Sequence, residues 1–157
     1  MTYEPRRYTA QVMLGVAHRL VEGLPKIEGR PSLILREEGI YEQGEFGIYF
    51  DYAPPDDTTA SQEKLTITPY MEQSGALAVH YLRVQLRWWH VSREALEVRD
   101  FLADVRALFP ENSELEIGGH WFDRVKQESS TTWGEETRPG VLNSTQNISL
   151  RGNRYES

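Results

Sequence analysis

The sequence predicts an α+β fold, a mainly antiparallel β-sheet covered by two α-helices, and three observations carry that expectation. Apolar residues recur three and four apart in two segments, one near the start and one around residue 100. In several other segments they alternate with polar residues, the period of a half-buried strand. The strand-like segments come in runs instead of alternating with the helical ones, which is the order of an α+β chain. At 157 residues the chain is expected to be one domain over 1–157, because domains usually run to roughly 100–200 residues.

In order along the chain, residues 6–24 carry Tyr8, Val12, Val16 and Leu20, joined by Met13, Ala17 and Leu24, on one helical stripe. Gly23 and Pro25 end it. The apolar run Leu33, Ile34 and Leu35 after Pro31 reads as a strand preceded by a turn. Residues 45–52 place Phe46, Ile48, Phe50 and Tyr52 on one side of a strand and Gly47, Tyr49 and Asp51 on the other. Prolines and small polar residues then make 53–63 an exposed loop. A strand returns over 64–68 with Leu65 and Ile67, and Pro69, lacking a ladder donor, is expected to close it.

The longest alternating run is 79–90. Leu82, Val84, Leu86 and Trp88 share one face, expected to be core, while Tyr81, Arg83, Gln85, Arg87 and Trp89 share the wetter one. Its length suggests a central antiparallel strand. Ser92 can cap a second helix, Glu94 suits its positive end, and Val98, Phe101, Leu102, Val105, Leu108 and Phe109 form its apolar stripe before Pro110. Strand character follows at Leu115 and Ile117, over 121–127 and over 141–151, where Leu142, Ile148 and Leu150 face the same way. Between the last two strands, 128–140 is too long for a tight turn and carries Trp133 in a polar stretch, which marks a candidate contact loop. The tail 152–157 has nothing to order it by itself.

Composition bounds the function. With 39% hydrophobic, 26% charged and 11% aromatic residues the chain belongs with folded proteins, and a net charge of -7 opposes approach to DNA or an anionic membrane. Cysteine is absent, which excludes thiolate nucleophiles, disulfides and cysteine-ligated zinc. No run reaches the ~20 apolar residues of a membrane span, and residues 6–19 are too mixed for a signal peptide, so neither insertion nor export is expected. The acceptor tripeptides at Asn143 and Asn147 match a pattern common by chance.

Catalytic signatures are also missing. His18, His80, His90 and His120 fall on different elements without ligand spacing, and no Gly-x-Ser-x-Gly, Gly-x-Gly-x-x-Gly or Walker-type motif occurs. The acidic pairs Glu37-Glu38, Asp56-Asp57 and Glu135-Glu136 sit in or beside polar stretches, where solvated carboxylates are expected. No catalytic, cofactor-binding or metal-ligating residue is predicted. Adjacent strand residues point to opposite faces, so one of Trp88 and Trp89 should be core. The other, beside Tyr81, Arg83 and Arg87, suits either intrachain packing or a subunit interface.

The order of these features resembles the tail terminator, or minor capsid, proteins of long non-contractile-tailed bacteriophages. The matching stretches are the helix ending Leu-Val-Glu-Gly-Leu24, the segment Gly39-Ile-Tyr-Glu-Gln-Gly-Glu-Phe-Gly-Ile-Tyr49 with its Pro/Asp loop, and Leu65-Thr-Ile-Thr-Pro-Tyr70. Leu82-Arg-Val-Gln-Leu-Arg87, the helix with Val98-Arg-Asp-Phe-Leu102 and the closing strands around the long loop continue it. The resemblance spans nearly the whole chain and rests on order and spacing. It implies a tail-terminator-like fold and a structural, non-enzymatic virion protein of the neck, assembled in the host cytoplasm. Such a protein forms a homo-hexameric ring on the end of the tail tube, stops tube polymerisation and offers a joining surface to the head-completion (stopper) protein. DNA would pass through the lumen without specific binding, and no cofactor or membrane is implied.

By that resemblance the contacts between subunits or rings fall to Tyr81, Arg83, Arg87 and Trp89 on the strand face, Asp56 and Asp57 in the first loop, and Trp133, Glu135 and Arg138 in the second. Competing expectations are a stopper or other neck protein, a small hydrolase built on the acidic pairs with a histidine, and a carbohydrate-binding module presenting Trp89 and Trp133.

Overall fold

A computed structural model of the chain describes residues 5–28, 31–42, 44–52, 63–74, 79–91, 95–134 and 141–153. The elements run α1 (Pro5–Gly23), β1 (Leu33–Ile34), β2 (Phe46–Phe50), β3 (Lys64–Ser74), β4 (Val79–Val91), α2 (Ala95–Ala107), β5 (Leu115–Ile117), β6 (His120–Gly134) and β7 (Val141–Asn153). They build an α+β fold around a curled, mixed seven-stranded sheet in the order β1-β2-β3-β4-β7-β6-β5. The strong alternation of β4 puts it at the centre, antiparallel to β3 on one side and β7 on the other. As its parity requires, Leu82, Val84, Leu86 and Trp88 are buried.

Both helices pack on that same face. Tyr8, Val12, Val16 and Leu20 of α1 and Val98, Leu102 and Val105 of α2 join Leu65, Ile67, Val84, Leu86, Val125, Ile148 and Leu150 in one core. α1 reaches the β5–β6 turn through two glycines: a Cβ on Gly15 would fall 2.2 Å from the Gly118 nitrogen, and one on Gly118 would fall 2.1 Å from the Gln11 carbonyl oxygen. Gly118 also has φ +63, where side chains are strained. His120 beside this contact bonds Gln11 Oε1 through Nε2 at 2.8 Å and meets the Tyr8 ring edge-on at 4.5 Å. The end of α2 is held from two sides, with Arg19 Nε donating to the Leu108 carbonyl and Gln127 Nε2 donating to that of Phe109 at 2.6 Å.

Several expectations need correction. The sheet is mixed, not mainly antiparallel, because β1 pairs β2 and β2 pairs β3 in parallel. A parallel pair needs a long crossover, and the Pro/Asp stretch between Phe50 and Lys64 is long enough to supply it. The composition of that stretch marks it only as a loop; its residues 53–62 lie outside the described ones, while Glu63 is half-buried and accepts a bond from Trp88 Nε1 at 3.2 Å. Strand β2 is not one-sided: Phe46, Gly47, Ile48 and Tyr49 are all buried. Tyr41 crosses its second face, donating from its hydroxyl to the Ile48 carbonyl at 2.7 Å and meeting Tyr49 at 5.1 Å. The expected strand over 45–52 is shorter: β2 ends at Phe50, Asp51 follows at φ 64, and Phe50 and Tyr52 are exposed.

Pro69 does not close β3, which continues to Ser74 past a bulge between Pro69 and Met71. The expected loop over 128–140 is shorter, because β6 continues through a bulge after Gln127 to Gly134. No apolar alternation marks this extension. It is a polar ladder, in which Ser130, Thr131 and Thr132 pair with Gln146, Thr145 and Ser144. At the other end β7 keeps Gly152 and Asn153 in the sheet, leaving 154–157 of the expected tail outside the described residues. The expected cap at Ser92 is likewise outside them.

Candidate assembly surface

The face of the sheet opposite the helices collects four of the nine expected contact residues, Tyr81, Arg83, Arg87 and Trp89. On β4, Tyr81 is exposed, Arg83 donates from Nε to Ser149 Oγ at 3.2 Å, and the Arg87 guanidinium lies 5.5 Å from the centre of the half-buried Trp89 ring. Trp88, its neighbour, is the core tryptophan, 2% exposed and packed on Phe101 at 4.0 Å. Register sets Arg151 opposite Tyr81, Thr145 opposite Arg87 and Asn143 opposite Trp89. Arg124 and Lys126 of β6 fall opposite Arg151 and Ser149. Strands β4 and β7 contain no carboxylate, so this face is cationic in a chain whose net charge is -7.

The surface is graded. Lys64, Thr66, Asn143 and Thr145 are buried at the Trp89 end, while Tyr81 and Arg124 are exposed at the other. On β3, burial pushes the Tyr70 phenol above the usual range, Arg83 opposes the shift, and Glu128 of β6 adds to it. Of the remaining expected residues, Trp133 belongs to a strand, opposite Asn143, not to a loop. Its side chain, with Glu135, Arg138, Asp56 and Asp57, lies outside the described residues.

A second feature leaves no sequence signal, because it belongs to the backbone. β2 pairs β3 only as far as Ile67, whose carbonyl also accepts the Asp51 amide at 3.0 Å. Beyond it, no described strand pairs the outer edge of 68–74. On the other side of the sheet β5 pairs β6 only at His120–Phe122. The loop after α2 takes over there, with the Asn112 amide donating to the Val125 carbonyl at 2.9 Å and Glu111 Oε1 accepting the Gln127 amide at 3.1 Å. Beyond Gln127, no described strand pairs the outer edge of 128–134. The two open edges are equal in length and sit at diagonally opposite corners, one beside 80–85 of β4 and the other beside 142–147 of β7.

Two interior features bear on chemistry. His90 Nε2 and Ser144 Oγ are 3.0 Å apart, and Ser144 Oγ is 3.0 Å from Thr132 Oγ1. His90 also stacks on Trp88 at 3.7 Å and is 1% exposed, while Ser144 is fully buried. His90 and Ser144 thus form a buried polar pair, joined at its outer end by the exposed Thr132. A cleft of ≈ 260 Å³ between the end of α1, β1 and α2 is lined by Val21, Leu24, Leu33, Phe46, Trp88 and Phe101 together with the carboxylates Glu63 and Asp104, with no histidine among its described lining residues. Among the described residues there is no cluster of metal-ligating side chains, and no helix is long and apolar enough to cross a membrane.

Comparison with known proteins adds little. No protein-family description and no curated protein matches the chain. One solved structure, whose designation names no activity, aligns at 13% identity and a TM-score of 0.44, covering 70% of this chain and 81% of its own. So distant a likeness leaves function to be argued from the surfaces of this chain.

Proposed function

We propose that the chain is a structural ring subunit of a bacteriophage neck, a tail terminator that caps the head-proximal end of the tail tube and presents the joining surface for the head-completion protein. The observation that carries the ring is the pair of unlike open strand edges at opposite corners of one sheet. Self-complementary patches give two-fold dimers, whereas two different, mutually complementary patches give head-to-tail contacts that close into a ring when the rotation permits. The phage assignment rests on the resemblance in element order; the edges support ring formation.

The direct test is tube growth. Purified tail-tube protein of the same phage polymerises with and without the chain, and tube lengths are measured by electron microscopy. The proposal expects short tubes bearing a ring at one end. A ring that plugs an isolated head connector and ignores tubes would instead support the stopper role, and tubes of unchanged length without rings would reject the neck assignment.

A further inference from the structure

We infer that the ring contact is a strand pairing, in which 71–74 of β3 in one copy run antiparallel to 130–134 of β6 in the next, joining the sheets of successive subunits. This rests on the ring proposed above and names its interface. Polarity comes first: β3 is antiparallel to β4, β4 to β7 and β7 to β6, so β3 and β6 run in opposite directions within one sheet. A neighbour placed head to tail, with its strands in the same orientation, therefore brings its β3 antiparallel to this β6.

Natural sheet edges are blunted by prolines, bulges and charges. Here Pro69 and the bulge before Met71, and the bulge between Gln127 and Ser130, stand at the inner start of each open segment. Past these bulges each segment pairs regularly with the inner strand, Met71 to Ser74 against β4 and Ser130 to Gly134 against β7. In those stretches Glu72 is the one charged residue. Pairing β3 with β6 engages both of these open segments in every subunit, whereas a two-fold pairing of β6 with β6 would leave every β3 segment unpaired. The diagonal placement staggers neighbours by about half a strand, an offset that a closed ring absorbs by tilting its strands against the ring axis. It also assigns Arg83, Arg87 and Trp89 to the helix-free wall of the ring instead of the joint between subunits.

Because the chain has no cysteine, engineered thiols report the contact directly. Gln73→Cys and Thr131→Cys stand opposite Tyr81 and Thr145, positions on the same sheet face, and antiparallel pairing sets them against each other across the joint. Oxidised under assembly conditions, the double variant should give a non-reducing ladder of covalent multimers ending at the hexamer. A mixture of the two single variants should give dimers only, and each single variant alone should stay uncrosslinked. Gln73→Cys with Trp133→Cys covers the adjacent register, and far-UV circular dichroism checks that each variant folds. A hexamer that gives no ladder with either pair, or single variants that crosslink to themselves, would overturn the strand pairing and leave the ring standing. A chain that remains monomeric would overturn both.

Discussion

At the scale of single residues, the least replaceable positions are those where backbone approaches backbone. Gly118 needs both a positive φ and the absence of a Cβ beside Gln11. Gly118→Ala should therefore destabilise the fold by ~2 kcal/mol or more, read as a lowered urea midpoint with unchanged slope. Phe122, fully buried, is a cavity position, and Phe122→Ala is expected to cost about 3–5 kcal/mol in the same experiment. Tyr70 gives a sign for alkaline pH. Its phenol keeps its proton in the fold to a higher pH than in the unfolded chain, so the folded state binds more protons above about pH 10 and stability falls there as pH rises. Unfolding midpoints measured across that range should fall less steeply in Tyr70→Phe than in the parent.

At the scale of elements, Gln127 joins three of them, accepting at Oε1 from Gln146 of β7 at 2.7 Å and donating at Nε2 to the end of α2. Gln127→Leu strands the partners of both bonds and should cost ~1–3 kcal/mol, with amide exchange accelerating first in the last turn of α2. Elements were legible where one face is apolar and the other wet: α1, α2 and β4 each announced themselves by period. Elements that break that rule were not. β2 is covered on both faces because Tyr41 folds across it, a contact between residues that no local pattern encodes. The far half of β6 pairs through Ser and Thr with an equally polar stretch of β7, so it carries no hydrophobic period to read. The parallel join of β2 to β3 depends on where a crossover lands, and spacing does not say. Of the candidate site, the shared face of Tyr81, Arg83, Arg87 and Trp89 followed from parity, whereas the open edges depend on where β2 and β5 stop pairing.

At the scale of the whole molecule, the charge is segregated. The net charge is -7, yet the helix-free face carries Arg83, Arg87, Arg124, Lys126 and Arg151. In a ring joined edge to edge that face forms one continuous wall. Reversing Arg83 and Arg124 to Glu should leave the subunit folded and the ring's mass unchanged, because neither residue belongs to the joined edges; loss of the ring would return the subunit contact to the strand face first expected from the resemblance. Solution mass reports the ring itself. Multi-angle light scattering across a concentration series, alone and with tail-tube protein, should find a species six times the 18.1 kDa chain mass, in solution or once tubes are present. A particle of one chain mass at every concentration, unchanged by tubes, would contradict it.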